Sequence, residues 1–426
     1  MRTVNIGLCG LGTVGGGTVR IINRHHDDFL RHAGVDLRIA RVCSRHDGMA
    51  KELGLYNIWT SDYRDIVNDP DIDIVVELIG GTETAKSVVI DSLNAGKNVV
   101  TANKALMASC GHDIFEAADA HDVEVAFEAS VGGGIPIIEP LKHSLVSNEI
   151  TSVLGIVNGT TNYMLTLMDE EGMSYEAALK KAQENGFAEA NPTADVDGYD
   201  AAAKIAILAS IAFNSRVTID DVPTSGIRSI APVDLEIAHQ MGYVIKLLAA
   251  AHRTEGGIEA YVQPAMLPLT HQLAHVKGVM NAIYVTGDAV GDTMFYGPGA
   301  GSGPAASAVV GDIIEVARRV SSGTKALVGC TCTDHLPMVK AEDTVARFYI
   351  RMRVQDKPGS LAATADAFGS CNVSIATMVQ RTSDVDMAEI AYTTHASRVK
   401  DVSDAIGVIK TLKQVEDVCT VIRVED

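Results

Sequence analysis

Short continuous apolar runs alternate with amphipathic stretches through the first 130 residues. "TVNIGLC", "VDLRIARVCSR", "DIVVELIG", "NVVTANK" and "VEVAFEAS" are strand-like, and helical segments such as "TAKSVVIDSLNAG" separate them. Strands and helices that alternate with short links predict an α/β fold built on a doubly wound parallel sheet. Further along, "EITSVLGIVN", "GIEAYVQPAML" and "MNAIYVTGDAV" are strand-like and lie close to helices, which predicts an inserted α+β domain. "PAASAVVGDIIEVARRV" is helical and returns to the first domain. The tail reads strand, turn at Pro358 and Gly359, helix, strand, then "MAEIAYTTH", a helix "VKDVSDAIGVIKTLKQV" and a last strand "CTVIRVE", a βαββαβ order. The expected domains are residues 1–134 with 297–322, an insertion at 135–296, a linker at 323–346 and a terminal domain at 347–426.

The first strand runs into a glycine turn and an amphipathic helix, with Gly10, Gly12 and Gly15 in G-x-G-x-x-G register. Gly10 makes the tight turn, Gly12 lets backbone approach a pyrophosphate, and Gly15 allows helix to pack closely on strand. The first domain is therefore expected to be a Rossmann-type dinucleotide site, held by the turn Gly10, Leu11, Gly12, Thr13, Val14 and Gly15. Its second strand ends at Ser44 and Arg45 instead of an acid. A small hydroxyl beside a cation accommodates a 2′-phosphate, which favours NADP(H) with NAD(H) tolerated; a solvated surface arginine is the alternative. Ligands of such sheets lie at strand carboxyl ends, where Gly80, Gly81, Thr82, Asn103 and Lys104 fall.

Composition narrows the partners. The formal charge of −19 argues against nucleic acid and anionic membranes, and no apolar run reaches membrane-spanning length. The amino terminus runs straight into a strand, so a cleavable leader is not expected. Seven cysteines, scattered apart from Cys330 and Cys332, lack zinc spacing and suit reduced cytosolic thiols. A soluble cytoplasmic protein is expected.

"NGFAEANPTADVDGYDAAAK" places Glu189, Asp195, Asp197 and Asp200 ahead of Lys204. Acids at a helix start complement its dipole, and Asp200 with Lys204 is an i,i+4 pair; that is one reading. The other is a site, because the following "AAAKIAILASIAF" is an apolar helix that buries Lys204, and a buried lysine needs partners.

Together with "VVTANKALMA", "EASVGGGIPII" and "GIVNGTTNYML", this stretch resembles homoserine dehydrogenase, with Ala182, Gly186, Phe187, Asn191, Pro192, Asp195, Gly198, Asp200 and Lys204 in that family's order. The likeness continues through "GYVIKLLA", "VKGVMNAIYV" and "YGPGAGSGPAASAVVGDII". The resemblance implies reversible hydride transfer between a nicotinamide and aspartate semialdehyde, giving homoserine. It implies Lys204 as the main proton donor, tuned by Asp200, and Lys104 orienting substrate and nicotinamide; a water held by Asp200 and Lys204 is an alternative donor. Glu189 and Asp200 would serve the substrate ammonium, with Asp195 shaping the loop. "EASVGGGI" resembles the family's sodium loop, in which the Glu128 side chain and the carbonyls of Val131, Gly133 and Ile135 hold a structural cation; a plain glycine turn before Pro136 is the other reading. Gly299 and Gly301, in "GPGAGSG", would bring backbone amides near the cofactor, and Asn158 to Asn162 would line the floor near the nicotinamide.

"V-x-D-x-P-G-x-L", from Val354 to Leu361, resembles an ACT domain. That resemblance implies a threonine effector at residues 356–360 and 372–375, and side-by-side pairing into a homodimer or homotetramer; a dimerising module without ligand is the alternative. No aspartokinase domain is expected ahead of the nucleotide domain. Another small amino-acid dehydrogenase and a nonenzymatic cofactor-binding sensor are the competing functions. The first must explain why Glu189, Asp200 and Lys204 all match in register, and the second why both lysines are kept.

Overall fold

The computed structural model describes residues 2–324, 329–384 and 386–425; residues 325–328, inside the stretch read as a linker, lie outside the described residues. The chain forms two compact units. The first comprises Met1–Val153, Ala203–Asp220 and Asn281–His335, and the second comprises Leu154–Ala202, Asp221–Met280 and Leu336–Asp426.

In the first unit, β1 (Thr3–Cys9), β2 (Asp36–Cys43), β3 (Trp59–Thr60), β4 (Ile74–Glu77), β5 (Asn98–Thr101) and β6 (Val125–Ala126) form one sheet in the order β3-β2-β1-β4-β5-β6. Every neighbouring pair is parallel. Inner strands so placed are covered on both faces, which is why β4 and β5 are built on short apolar runs, whereas β2 keeps Arg38 exposed. Val4, Ile6 and Leu8 are fully buried, and Val309, Ile313 and Val316 of the helix Ser302–Ser322 share their core. That helix packs beside the first helix, Thr13–Asp28, so the return of the chain after residue 301 is as expected. Strand order reverses between β1 and β4, and the crevice at their carboxyl ends is where such sheets bind ligands. One strand is shorter than its sequence suggests. β6 keeps two residues because Phe127 leaves the extended region (φ −151°, ψ 31°) and Glu128–Ser130 form a 3-10 turn.

The remaining strands are β7 (Ile150–Ile156), β8 (Tyr243–Thr254), β9 (Gly257–Pro268), β10 (Met280–Gly287), β11 (Gly291–Pro298), β12 (Val345–Gln355), β13 (Ile375–Asp384), β14 (Met387–Thr394), β15 (Ser397–Arg398) and β16 (Val415–Val424). Within the second unit the order runs β8-β9-β16-β12-β14-β13. β8 and β9 are an antiparallel hairpin paired from Tyr243–Pro268 to Thr254–Gly257. The tail has the expected βαββαβ order, with helices Ser360–Ser370 and Val399–Ile409 packed over Ile350, Met352 and Tyr392. Its sheet is not separate: Arg423 and Val424 of β16 pair in parallel with Ala265 and Met266 of β9.

A buried ionic cluster reinforces that junction. Asp234, fully buried near the start of the helix Pro232–Gln240, accepts from Arg351 Nε (2.6 Å) and Nη2 (3.0 Å), Tyr349 Oη (3.0 Å), Thr420 Oγ1 (3.1 Å) and the Ala231 N–H (2.9 Å). Each lone pair of the carboxylate is used, which is the condition under which a buried charge is tolerated.

Candidate functional site

The glycine turn of the first unit has the geometry a pyrophosphate requires. Gly10 sits at φ +107°, and a Cβ there would lie 2.5 Å from the Leu78 carbonyl oxygen. A Cβ on Gly15 would lie 2.0 Å from the Gly10 oxygen, so helix and turn touch backbone to backbone, whereas Gly12 faces open space. The helix begins at Thr13 with Gly12 as its cap, no side chain satisfies its first N–H groups, and its first turn carries no acid. Free amides and an uncompensated dipole fit an anionic group. Leu11 is buried beneath the turn, while Val14 packs against the sheet core. Ser302 Oγ donates to the Thr13 carbonyl (2.8 Å), which seats the Gly299–Gly301 turn against this helix. At the end of β2, Ser44 accepts from Trp59 Nε1 (3.1 Å), and Arg45 is exposed with no ion pair among the described residues.

A residue passed over in the sequence organises the next two loops. Glu77 ends β4 and is fully buried. Its Oε1 accepts from the Ile79 and Gly80 N–H groups (2.7 and 3.2 Å), and its Oε2 accepts from Thr101 Oγ1 (2.7 Å). Thr101 Oγ1 in turn accepts from the Asn103 N–H (3.0 Å), and Asn103 Nδ2 donates to the Gly81 carbonyl (2.6 Å). Asn103 Oδ1 caps the helix Lys104–His121 through Leu106 N–H (3.1 Å). One carboxylate thus ties the glycine loop after β4, which leads to Thr82, to the residue that positions Lys104. Gly80 and Gly81 hold φ of +79° and +71°, so that loop needs glycine. Lys104 is half-buried. A glutamate closing an apolar run was the available signal.

The acid loop belongs to the second unit. Asn158 Nδ2 donates to both Asp195 Oδ1 (2.7 Å) and Asp200 Oδ2 (2.9 Å). Its Oδ1 accepts from Thr161 N–H and Oγ1, each at 2.9 Å, capping the helix Gly159–Glu171. Asn158, expected only on the floor of the site, is therefore the bracket that holds the two acids together. Asn162 lies elsewhere and serves Lys246. Gly198, at φ +89°, turns the chain between the acids, and Asp197 is ion-paired with Arg228. Glu189 is exposed and is not joined to the pair: its carbonyl accepts from Gln183 Nε2, and its carboxylate has no partner among the described residues. Asp200 lies in the first turn of the helix Tyr199–Ala212 and Lys204 one turn later; Lys204 is 8% exposed, so the apolar run buries it as expected.

In the expected cation loop, Glu128 Oε1 accepts from the Ile137 and Ile138 N–H groups (2.5 and 2.9 Å) and Oε2 from Glu139 N–H (2.7 Å). Burial raises the carboxyl pKa and those three bonds oppose it. Gly132 and Gly133 sit at φ +74° and +58°, and a Cβ on Gly133 would lie 2.4 Å from the Gly299 carbonyl oxygen. The three bonds make the Glu128 carboxylate a clamp on this loop. Among the described residues no group of three or more His, Cys, Asp or Glu is placed to hold a metal. No described helix is long and apolar enough to cross a membrane. In the tail, Gly359 and Asn372 take positive φ at the two expected effector loops, and the buried Ser360 Oγ has no hydrogen-bond partner.

Three family models match the chain: the NAD-binding domain of homoserine dehydrogenase at residues 10–128, homoserine dehydrogenase at 136–314 and the ACT domain at 348–414. Homoserine dehydrogenase of Synechocystis is 44% identical, covering 99% of each chain, and that of Bacillus subtilis is 41% identical, covering 100% of this chain and 99% of its own. The structure of a homoserine dehydrogenase from Thiobacillus denitrificans superposes with a TM-score of 0.95 at 41% identity, over 100% of this chain and 99% of that one. A hyperthermophilic archaeal homoserine dehydrogenase in complex with NADPH has a TM-score of 0.63 at 27% identity, over 75% of this chain and 98% of its own.

Proposed function

The chain belongs to the homoserine dehydrogenase family, oxidoreductases acting on a CH–OH group, and from that premise we propose how its residues divide the reduction of aspartate semialdehyde to homoserine. The observation that carries the reading is the Asn158 bracket, which fixes Asp195 and Asp200 side by side one turn ahead of a buried lysine. Two acids held by one amide form a fixed anionic recess for the substrate ammonium, and Glu189 on its exposed loop adds a third carboxylate at the rim. When bound, the nicotinamide supplies or accepts the hydride. Lys204 gives its Nζ proton to the carbonyl oxygen as negative charge develops there, with Asp200 one helical turn ahead of it. Lys104, held by the Glu77–Thr101–Asn103 chain, orients the substrate and supports the same oxygen.

The cofactor is NADP(H), with NAD(H) accepted; the exposed Arg45 beside Ser44 supports this, as a cation free to meet a 2′-phosphate. Its other contacts are the Gly10–Gly15 turn, Gly80, Gly81, Thr82, Lys104, Gly299 and Gly301. A structural sodium ion is held by the Glu128 side chain and the carbonyls of Val131, Gly133 and Ile135. Functional domains follow residues 1–134 with 297–322, 135–296 and 347–426, around a linker at 323–346. The enzyme is a cytoplasmic homo-oligomer of two or four chains serving threonine, methionine and isoleucine synthesis. Threonine binds the ACT loops at 356–360 and 372–375, and the unpartnered Ser360 hydroxyl supports a polar ligand there. Steady-state oxidation of NADPH and of NADH with aspartate semialdehyde, with and without threonine, tests these assignments. NADPH is expected to give the higher kcat/KM and threonine to lower it; equal cofactor use and no response to threonine would remove both refinements.

A further inference from the structure

β9 pairs with β8 along one edge, and three short segments share the other. Pro337–Val339 bond at Ile258, Pro223–Ser225 bond at Val262, and β16 joins at Ala265 and Met266. Segments of different origin leave gaps between them. One gap is a cavity of about 160 Å³ lined by Thr224, Glu259, Val262, Val339, Phe348 and Arg423, among others, all within the second unit. It lies where the ACT sheet meets β9, away from the ACT loops at 356–360 and 372–375.

Its lining combines two opposite charges with an apolar wall. The Arg423 and Glu259 side chains are 9% and 13% exposed and bond through Nη1 and Oε1 (2.7 Å). Arg423 Nε also meets Glu425 (3.2 Å), and its guanidinium lies over the Tyr261 ring. Of the five N–H groups of an arginine these use two, so three remain, while Glu259 Oε2 has no partner among the described residues. Val262, Val339 and Phe348 supply apolar surface. A cavity of about 150 Å³ is enough for a six-heavy-atom guest. We propose that this cavity binds a small aliphatic α-amino acid, its carboxylate on Arg423, its ammonium on Glu259 and its side chain against Val262, Val339 and Phe348.

The wall of the cavity is also a wall of the acid loop. A Cβ on Gly198 would lie 2.9 Å from Thr224 Cγ2 and 3.0 Å from Val262 Cγ1, so both cavity residues press on the turn between Asp195 and Asp200. Beyond Thr224 and Ser225, the Ile227 N–H donates to the Val196 carbonyl (2.9 Å), and Arg228 holds Asp197. Packing this close passes displacement on, so an occupant shifts the acid pair and with it the KM for the semialdehyde. That kinetic consequence rests on the catalytic reading above; the binding site does not.

Titration calorimetry on the full chain with L-alanine, L-serine, L-threonine and L-valine tests the site. At least one is expected to bind, with a class of sites lost at least tenfold in Val339→Phe, which fills the cavity without touching its charges, and in Arg423→Met. The matching α-hydroxy acid and amino amide should bind at least tenfold more weakly. Bound amino acid should also change the semialdehyde KM at least threefold in wild type and not in Val339→Phe. No heat with any of the four, or affinities in Val339→Phe within threefold of wild type, would overturn the proposal. Binding lost in Val339→Phe by a chain that turns over no semialdehyde would sink the catalytic reading and uphold the site.

Discussion

Replacing Glu77 tests whether one buried carboxylate positions the loops of the first unit. Glu77→Ala removes the acceptor for two backbone N–H groups and the Thr101 hydroxyl. Hydrogen bonds to a charged group contribute about 1.5–3 kcal/mol each, and an orphaned buried donor costs about 1–3 kcal/mol. The Ile79 and Gly80 amides are only partly buried and recover some of this from water. A loss of about 3–6 kcal/mol is expected for Glu77→Ala, and about 1–3 kcal/mol for Glu77→Gln, which keeps the shape and one carbonyl oxygen. Trp59, the single tryptophan of the chain, lies in the same sheet and reports urea unfolding by fluorescence. Catalysis should suffer separately, because a displacement of about 1 Å in a positioning group costs on the order of 10²-fold. Glu77→Gln is therefore expected to lower kcat at least tenfold while remaining folded. A Gln variant with unchanged kcat and stability within about 0.5 kcal/mol of wild type would refute the positioning role.

Three further outcomes follow from other sites. Asn158→Ala should raise the semialdehyde KM by roughly tenfold, as the Asp195–Asp200 pair loses its bracket, and cost about 1 kcal/mol for the lost helix cap; kinetics and urea titration separate the two. Asp234→Ala leaves Arg351 buried without its main partner, for which about 3–5 kcal/mol is expected in equilibrium unfolding. Burial pushes the Lys246 ammonium down to about 8 from 10.5. The unfolded chain then binds more protons between pH 8 and 10.5, so the burial penalty is complete below pH 8 and is relieved as pH rises. At about 1.4 kcal/mol per pH unit, the stability difference between wild type and Lys246→Met should move by about 3 kcal/mol in favour of wild type from pH 7.5 to 10.5; a flat difference would contradict it.

The parallel sheet was legible because strands buried on both faces carry unbroken apolar stretches, as β4 and β5 do at Ile74–Val76 and Val99–Val100, and because short links separate strands from helices. β6 misled for a local reason: the pattern of "VEVAFEAS" cannot report that Glu128 turns inward to three N–H groups and stops the strand. β8 is not among the strands the pattern predicts, since an Ala- and Leu-rich run such as "IKLLAAA" has no period that separates strand from buried helix. The βαββαβ tail was readable, but its parallel junction with β9 joins residues more than 150 positions apart and depends on pairing that no local pattern encodes. In the site, the acids and lysines stood out by charge in an apolar or glycine-rich context. Glu77 shares that context and Asn158 does not; the role of each lies in what its hydrogen bonds hold.

The most direct test of the account is the kcat for aspartate semialdehyde reduction, followed by NADPH and NADH oxidation, for wild type and Lys204→Ala. Robust wild-type turnover is expected, with a roughly 10²–10⁴-fold loss of kcat in the variant, the range that follows removal of a general acid. Wild-type turnover left intact in Lys204→Ala, or no wild-type turnover with either cofactor, would contradict it.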